Sequence, residues 1–282
     1  MTTPDLPTSD VVSVERHNHV AIVWLDRPDK LNAMAPAFWE DFPAIVTALG
    51  ADSEVRAIVV AGKGRAFTVG IDIAAFGPAM AAGTISGEST GSGVGDRMVT
   101  YHQIKRMQHT FSSLAECPKP VIAAVHGWCL GGGIDLITAC DIRLASADAV
   151  FSVRETKVAM VADVGTLQRL PSIVDPGRVA EMVYTGRDFS ADEAAEMGLV
   201  TRVLPDAETA LKDAMAVAEE IAANSPLAVQ GAKAVLRAAQ ERATAEQLDH
   251  VALWNAAFFH SNDLAEAMHA FLEKRPPKFK GD

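Results

Sequence analysis

The chain has 282 residues, of which 49% are hydrophobic and 22% charged, so it has enough apolar content for a large buried core and does not resemble a disordered chain. Its formal net charge of −11, from 36 acidic and 25 basic residues, argues against broad binding to nucleic acid or to an anionic membrane surface. The three cysteines are Cys117, Cys129 and Cys140. They form no CxxC pair, which argues against a disulfide framework or a zinc site.

Strand-like and helix-like segments alternate over the first part of the chain, whereas only helix-like segments follow Asp206. The predicted strands cover residues 11–16, 19–25, 56–61, 121–125 and 142–145. The predicted helices cover residues 36–49, 96–116, 131–139, 206–223, 226–242, 244–260 and 263–273. This order predicts an α/β core over residues 1–205 and a helical region over residues 206–282.

The stretch from Gly77 to Gly95 contains Gly, Ser, Thr and Ala with little else. Such a composition has few side chains that can form a core. We therefore expect a mobile surface loop that acts as a flap over a site.

Two glycine turns each follow a buried strand. The first lies in the segment from Ala66 to Asp72 and includes Gly70, and the second is the triple glycine Gly131 to Gly133, which opens a helix. Glycine lets backbone amides approach a ligand closely, and a helix start adds the positive end of its dipole. Such turns suit a site for a developing oxyanion. A plain tight strand–helix connection is the alternative for either turn alone, and the two together are more informative.

Three carboxylates lie in apolar surroundings: Asp135, Glu155 and Asp163. Acids that share such a site have raised or split pKa values, because burial and mutual repulsion oppose ionisation. One ionised and one protonated carboxyl is the arrangement that a proton relay needs. The alternative for each acid is a helix cap or a surface acid, and for Asp163 an N-cap before Thr166 is a direct competitor.

Several motifs, in this order, resemble those of the crotonase (enoyl-CoA hydratase/isomerase) superfamily over about residues 11–280. The matching segments are Asp26-Arg27-Pro28, Leu31-Asn32-Ala33-Met34, Ala66-Phe67-Thr68-Val69-Gly70-Ile71-Asp72, Pro118-Lys119-Pro120 with the strand and glycines that follow, and Ala270-Phe271-Leu272-Glu273-Lys274-Arg275-Pro276. The resemblance implies a spiral of ββα units with a C-terminal helical trimerisation region, assembled as a homotrimer or homohexamer.

The same resemblance implies a thioester site. The thioester oxygen would be held by two backbone amides, which by motif match are those of Ile71 and Gly132. Positions that match the substrate and CoA-binding segments are Lys30, Ala33, Gly70, Asp72 and Gly131. The basic residues that meet the CoA phosphates stay open between Lys30 and the tail residues Lys274, Arg275, Lys278 and Lys280.

The carboxylates distinguish between subfamilies. Enoyl-CoA hydratases have two glutamates at the positions of Asp135 and Glu155, and a glycine at the position of Asp163. The present pattern resembles the Δ3,5-Δ2,4-dienoyl-CoA isomerases, in which all three acids occur at this spacing. The resemblance implies that Asp163 removes a proton from C2 and Glu155 delivers one to C6, with Asp135 in support, as a step of fatty acid β-oxidation. No metal or redox cofactor is implied, because CoA arrives as part of the substrate.

Two alternatives remain at this point. The first is a hydratase that uses Glu155 together with Asp135, although an aspartate is one methylene shorter than the usual glutamate and would hold water poorly. The second is a catalytically silent relative that binds CoA or associates with RNA, since a fold does not fix a function. The intact glycine turns and carboxylates argue against the silent version, and the acidic charge argues against the RNA version.

Compartment signals are missing from the sequence. The first ten residues contain two acids and no Lys or Arg, unlike a signal or transit peptide, and the final residues FKGD lack an SKL-type address. No uninterrupted apolar run is long enough to span a bilayer. From these observations we expect a cytoplasmic protein without membrane or nucleic-acid partners.

Overall fold

The strands form two sheets in the part of the chain that the computed structural model describes, which is residues 6–81, 83–85, 87 and 89–281, without the side chains of residues 239–242. The strands are β1 (Val12–His17), β2 (Val20–Leu25), β3 (Ala57–Gly62), β4 (Val121–Val125), β5 (Trp128–Leu130), β6 (Ile142–Ser146), β7 (Val150–Ser152), β8 (Phe189–Ser190) and β9 (Arg202–Leu204). The larger sheet has the order β1-β2-β3-β4-β6-β9, antiparallel between β1 and β2 and parallel thereafter. The smaller sheet has the order β5-β7-β8.

Helices cover the sheets and make up most of the C-terminal part. They are α1 (Phe38–Ala51), α2 (Ile73–Ala81), α3 (Gly93–Glu116), α4 (Gly132–Ala139), α5 (Thr166–Arg169), α6 (Pro176–Thr185), α7 (Ala191–Glu196), α8 (Ala207–Ala223), α9 (Pro226–Phe258) and α10 (Asn262–Leu272). Short 3-10 turns cover Pro28–Lys30, Glu155–Val158 and Leu170–Ser172. In the described ranges, a helix both long and apolar enough for a bilayer is not found.

Alternate residues of the central strands point to opposite faces of the larger sheet, as the two-residue period of a strand requires. Ile58 and Val60 of β3 belong to the main core, whereas Val59 belongs to a second core beneath α8. Helix α8 contacts this second core with small side chains spaced four residues apart: Ala214, Ala218 and Ala222. Because these alanines lie on one face of the helix, α8 packs close to the sheet.

The C-terminal helices confirm the prediction of a helical region but differ in number. The two helices predicted over 226–242 and 244–260 are one continuous helix, α9, of 33 residues. No glycine or proline follows Gly231 within it, so the sequence provides no chemical reason for a break. Helix α9 packs along α3 and α5 of the core, and α10 packs against α2. The C-terminal helical region therefore packs against the α/β core.

The loop predicted from Gly77 to Gly95 is wrong at both ends. Its first residues complete α2 and its last residues begin α3. Between the helices, Thr84 and Ile85 are buried, and Asp96 accepts a hydrogen bond of 2.6 Å from the backbone of Thr90. Residues 82, 86 and 88 of the predicted flap lie outside the described part. Small residues are compatible with packed helices and turns as well as with a loop. The composition alone therefore does not distinguish these structures.

Candidate active site

A short parallel arrangement brings both glycine turns and Glu155 to one edge of the smaller sheet. Strand β5 pairs in parallel with β7, and Thr68 forms a parallel bridge to Cys129 of β5. Parallel segments end at the same edge, so the residues that follow them emerge side by side. The amide of Gly131 confirms this register by donating to the carbonyl of Ser152 at 2.9 Å. These pairings bring together segments that lie from 21 to 61 residues apart in the chain.

The two glycine turns are in van der Waals contact. Gly70 has a φ of +80°, and a β-carbon built on it would lie 2.7 Å from the carbonyl oxygen of Leu130 and 3.1 Å from the amide nitrogen of Gly132. A side chain at this position would therefore push the turns apart. Glycine is required here both for the backbone conformation and for the close approach.

The amides of Ile71 and Gly132 lie at this contact. Both neighbours of Ile71 form hydrogen bonds with the backbone of Met34. The Met34 amide donates to the Gly70 carbonyl, and the Asp72 amide donates to the Met34 carbonyl. Gly132 is the first residue of α4, where a backbone amide has no intrahelical acceptor. Among the described residues neither amide donates a hydrogen bond. Donors on touching turns are what an oxyanion site needs, and the binding of one oxyanion by these two amides stays a prediction.

Asp135 is fully buried one turn into α4, with 0% of its surface exposed. One of its oxygens accepts a hydrogen bond of 2.5 Å from the amide of Thr166, the first residue of α5. Burial raises the pKa of Asp135, although the Thr166 hydrogen bonds and the charge of Arg169 act in the opposite direction. Asp135 thus joins α4 to α5 and holds negative charge beneath the site.

Glu155 begins the 3-10 turn after β7 and is half-buried. A β-carbon built on Gly131 would lie 3.5 Å from Glu155 Oε1, so this carboxyl lies beside the second glycine turn. Among the described residues Oε2 has no hydrogen-bond partner. Burial, followed by the negative charges of Asp135 and Asp163, raises the pKa of Glu155 to about 8. A carboxyl in this environment favours the protonated form near neutral pH.

Asp163 lies in an irregular segment before α5 and is half-buried. It is not the N-cap of that helix, since Gly165 occupies the cap position and Asp163 Oδ2 accepts a hydrogen bond of 2.7 Å from Asn255 Nδ2. Burial raises the pKa of Asp163 to about 7, the Asn255 hydrogen bond opposes this rise, and the charge of Asp135 adds to it. The charge of Asp135 acts on the pKa of Glu155 and of Asp163, so both acids lie near Asp135, and their catalytic roles stay predictions.

The other predicted binding residues lie around the first glycine turn. Lys30 is exposed and Ala33 is half-buried. The carboxylate of Asp72 forms an ion pair of 2.9 Å with Arg27, which also donates to the carbonyl of Ala33 at 2.6 Å. These contacts fix the loop before Met34 against the turn at Gly70. A direct contact of Asp72 with substrate stays a prediction. In the structure its side chain holds Arg27 in place.

The basic tail contacts acids through the side chain of Arg275 and through the backbone amides of Lys278 and Lys280. Arg275 contacts Glu266 at 2.6 Å and Glu273 at 2.5 Å, and the backbone of Lys280 donates to Asp263 at 2.6 Å. The tail is therefore a mixed-charge segment docked on α10. Its role in binding CoA phosphates stays a prediction.

Two amide side chains that contact Asp163 were missed by the sequence-based reasoning. Asn255 on α9 contacts the Asp163 carboxylate, and Gln108 on α3 donates to the Asp163 carbonyl at 2.8 Å. Both are buried, at 4% and 2% exposed. A signal was present for Asn255, because it follows the buried apolar residues Val251 and Ala252 on the same face of α9.

Comparisons with known proteins agree with this geometry. The sequence profile of the family described as Enoyl-CoA hydratase/isomerase matches residues 15–282. The chain is 43% identical to the mitochondrial Delta(3,5)-Delta(2,4)-dienoyl-CoA isomerase of Rattus norvegicus, over 92% of this chain and 78% of that protein. It is 41% identical to the peroxisomal Delta(3,5)-Delta(2,4)-dienoyl-CoA isomerase of Arabidopsis thaliana, over 99% of each. A solved enoyl-CoA hydratase/isomerase from Xanthobacter autotrophicus Py2 has a TM-score of 0.82 at 30% identity, over 94% of each chain.

The same comparisons correct the expected location and settle the family. The expectation of a cytoplasmic protein is wrong, since these relatives are named as mitochondrial or peroxisomal. That expectation depended on missing address signals, which do not determine a compartment. The α/β architecture, the paired glycine turns and the matching profile all agree with the predicted fold class. The chain belongs to the enoyl-CoA hydratase/isomerase (crotonase) family and is an enzyme of that family.

Proposed function

We propose that this enzyme isomerises 3,5-dienoyl-CoA to 2,4-dienoyl-CoA. The observation that carries the proposal is the cluster of Asp135, Glu155 and Asp163 beside the touching turns of Ile71 and Gly132. A double-bond shift by proton transfer needs one basic and one acidic group near the carbon chain, together with donors for the thioester oxygen. The similarity to named dienoyl-CoA isomerases at 41–43% identity supports this choice within the family.

Proton removal is the first step of the proposed reaction. Ionised Asp163 takes a proton from C2 of the 3,5-dienoyl thioester. The electron pair of the broken C–H bond then spreads over the conjugated system to the thioester oxygen. The amides of Ile71 and Gly132 donate to this oxygen, where negative charge develops. Loss of one such donor typically raises the barrier by about 2.7–4 kcal/mol.

Proton delivery completes the shift. Protonated Glu155 gives its proton to C6, and the electrons return from the oxygen to form the 2,4-diene. One proton has left C2 and one has arrived at C6, so the product is an isomer and no oxidant or reductant takes part. The charge of Asp135 favours the protonated form of Glu155 before the reaction. Afterwards Asp163 must lose its proton and Glu155 must regain one, which exchange with water provides.

The proposed function includes the cofactor requirement, the pathway and the assembly. CoA is part of the substrate, the chemistry uses no metal or redox cofactor, and the reaction would serve fatty acid β-oxidation. We also propose a homotrimer or homohexamer without nucleic-acid or membrane partners. Large apolar side chains on the outer faces of α9 and α10 support the assembly, since they are half or more exposed: Leu227, Val235, Leu236, Leu253, Trp254, Phe258, Phe271 and Leu272. Equilibrium sedimentation would measure the assembly directly.

A pair of substrates tests the proposed activity. The purified enzyme would be given a 3,5-dienoyl-CoA and, separately, a 2-enoyl-CoA, with the ultraviolet absorbance of each thioester followed. Rapid appearance of the 2,4-dienoyl chromophore, with slow or no hydration of the enoyl thioester, is the expected result. Fast hydration without isomerisation would instead assign the enzyme to the hydratases.

The pH dependence of turnover should be a narrow bell. Activity needs Asp163 ionised, so it should rise as the pH increases through about 7. Activity also needs Glu155 protonated, so it should fall as the pH increases through about 8. Because the acids repel one another, the two apparent pKa values belong to the cluster as a whole. A plot of kcat/KM against pH measures both limbs, and a profile flat from pH 5 to 9 would contradict the assignment of two titrating acids.

Gly70→Ala should damage the oxyanion site. The added β-carbon would lie 2.7 Å from the Leu130 carbonyl, at a φ of +80° that alanine adopts poorly. Separation of the turns should lower kcat by roughly 10²- to 10³-fold, the loss typical for one oxyanion donor. Gly231→Ala is the matched control, because Gly231 is at an exposed position of α9 and a β-carbon built on it would meet nothing within 4 Å. Unchanged kcat in Gly70→Ala would show that close contact of the turns is not needed.

A further inference from the structure

We propose that Asn255 of α9 is a positioning residue for the proton acceptor. It holds Asp163 Oδ2, so that Asp163 Oδ1 is the atom that receives the substrate proton. This inference rests on the proposed function, since it assigns a partner to the base of that reaction. It also gives the C-terminal helical region a part in proton transfer, where the sequence predicted a role in assembly and offered the basic tail for CoA phosphates.

The amide orientation of Asn255 is fixed by its contacts. Nδ2 donates both to the Val161 carbonyl at 2.8 Å and to Asp163 Oδ2 at 2.7 Å, while Oδ1 of Asn255 accepts from the Val161 amide at 3.4 Å. A flipped amide would direct Nδ2 at the Val161 N–H and would lose all three bonds. Asn255 therefore acts as a donor toward Asp163. At 4% exposed, it makes this bond away from bulk water.

The segment that carries Asp163 depends on such side-chain contacts. Residues 160–163 form no helix or strand, so no backbone ladder holds them. On the other side, Gln108 Nε2 of α3 donates to the carbonyls of Asp163 and Leu248, each at 2.8 Å. Gln108 thus ties the backbone of Asp163 to α9, and Asn255 orients its carboxylate. The two amides have separable roles, since only Asn255 contacts the titrating group.

The two oxygens of Asp163 are in different surroundings. Oδ2 is occupied by Asn255, whereas within the described residues Oδ1 accepts no hydrogen bond from another residue. Asp163 is half-buried, so part of its surface stays accessible. The charged groups whose repulsion acts around Asp163 are Asp135 from α4 and Glu155, both acids. Asn255 is therefore a neutral donor that favours the ionised form of Asp163 against the negative charge of Asp135.

Kinetics of two substitutions test this role. Asn255→Ala removes the donor, and Asn255→Asp keeps the shape while replacing the donor by an acceptor. Each should lower kcat by roughly 10- to 100-fold, the loss typical of a hydrogen bond to a charged group, with a small change in KM. Each should also move the acid limb of the kcat/KM profile to higher pH, by about one unit or more, because the ionised form has lost its donor. The limb position does not depend on the fraction of folded enzyme, so partial unfolding does not obscure it.

Two further variants separate the possible outcomes. Asn224→Ala is the matched control, because the exposed Asn224 side chain at the end of α8 bonds to the Glu220 carbonyl, so both kinetic constants should be unchanged. An acid limb that stays in place in both Asn255 variants would overturn the positioning role, whatever happens to kcat. Asp163→Asn separates the role of Asp163 as the base from the role of Asn255. If that variant stays active, the base assignment fails, whereas an inactive Asp163→Asn beside an unmoved limb rejects the Asn255 role alone.

Discussion

Asp163→Asn is expected to lower kcat for isomerisation by roughly 10²- to 10⁴-fold, which is the contribution of a positioned general base. Asparagine keeps the size of the side chain but cannot accept a proton at neutral pH. The buried Asn255 amide can still face an oxygen of the new side chain, so the fold should be retained. Steady-state kinetics with a 3,5-dienoyl-CoA measures the loss, and thermal unfolding checks the fold.

Asp249→Asn provides a matched control for this loss. Asp249 lies on the same long helix as Asn255 but pairs with Lys105 at 2.6 Å on the exposed surface. An exposed pair of this kind contributes about 0–1 kcal/mol, so neither activity nor stability should change much. Turnover in Asp163→Asn within about threefold of the parent, smaller than any general-base contribution, would exclude Asp163 as the base.

Glu155→Gln should lower isomerisation by a similar factor of roughly 10²- to 10⁴-fold, yet it should leave the first half of the reaction intact. Glutamine cannot deliver a proton to C6, but Asp163 can still remove one from C2. In deuterated water the variant should therefore exchange the C2 hydrogen of the substrate with solvent while forming little product. Proton NMR of the recovered thioester measures this exchange.

Asp163→Asn is the natural partner in that experiment, because it should show neither exchange nor product. The two variants thus separate the acid at C2 from the acid at C6. Loss of C2 exchange in Glu155→Gln, together with retained exchange in Asp163→Asn, would mean that the two assignments must be interchanged.

Local sequence signals were sufficient for much of the fold. The β-branched run in β3 predicted a buried strand, and Pro120 marks the start of β4, which extends over Val121–Val125 as expected. Strand β5 was not predicted, because its three residues follow β4 after a two-residue turn and belong to the second sheet. Such a change of sheet depends on pairing with β7, which is a long-range contact that no local pattern contains.

The candidate site was predictable to the extent that its chemistry is local. Each glycine turn and each acid was visible in the sequence, but alone each also fitted a turn or a cap. Only the fold brings Gly70 against Gly132 and gives Asp163 its partner Asn255, which is 92 residues away in the chain. The ion pair of Arg27 with Asp72 is a second case, joining residues 45 positions apart.

A single turnover in deuterated water tests the two-acid relay most directly. Excess enzyme, equilibrated in D₂O, would convert an undeuterated 3,5-dienoyl-CoA, and the product would be examined by NMR and mass spectrometry. Because Glu155 enters the reaction carrying solvent deuterium, we expect one deuterium at C6 of the product. The hydrogen removed from C2 should not appear at C6. Product in which the C2 hydrogen has moved to C6 would show that one carboxyl serves both carbons, and would contradict the account.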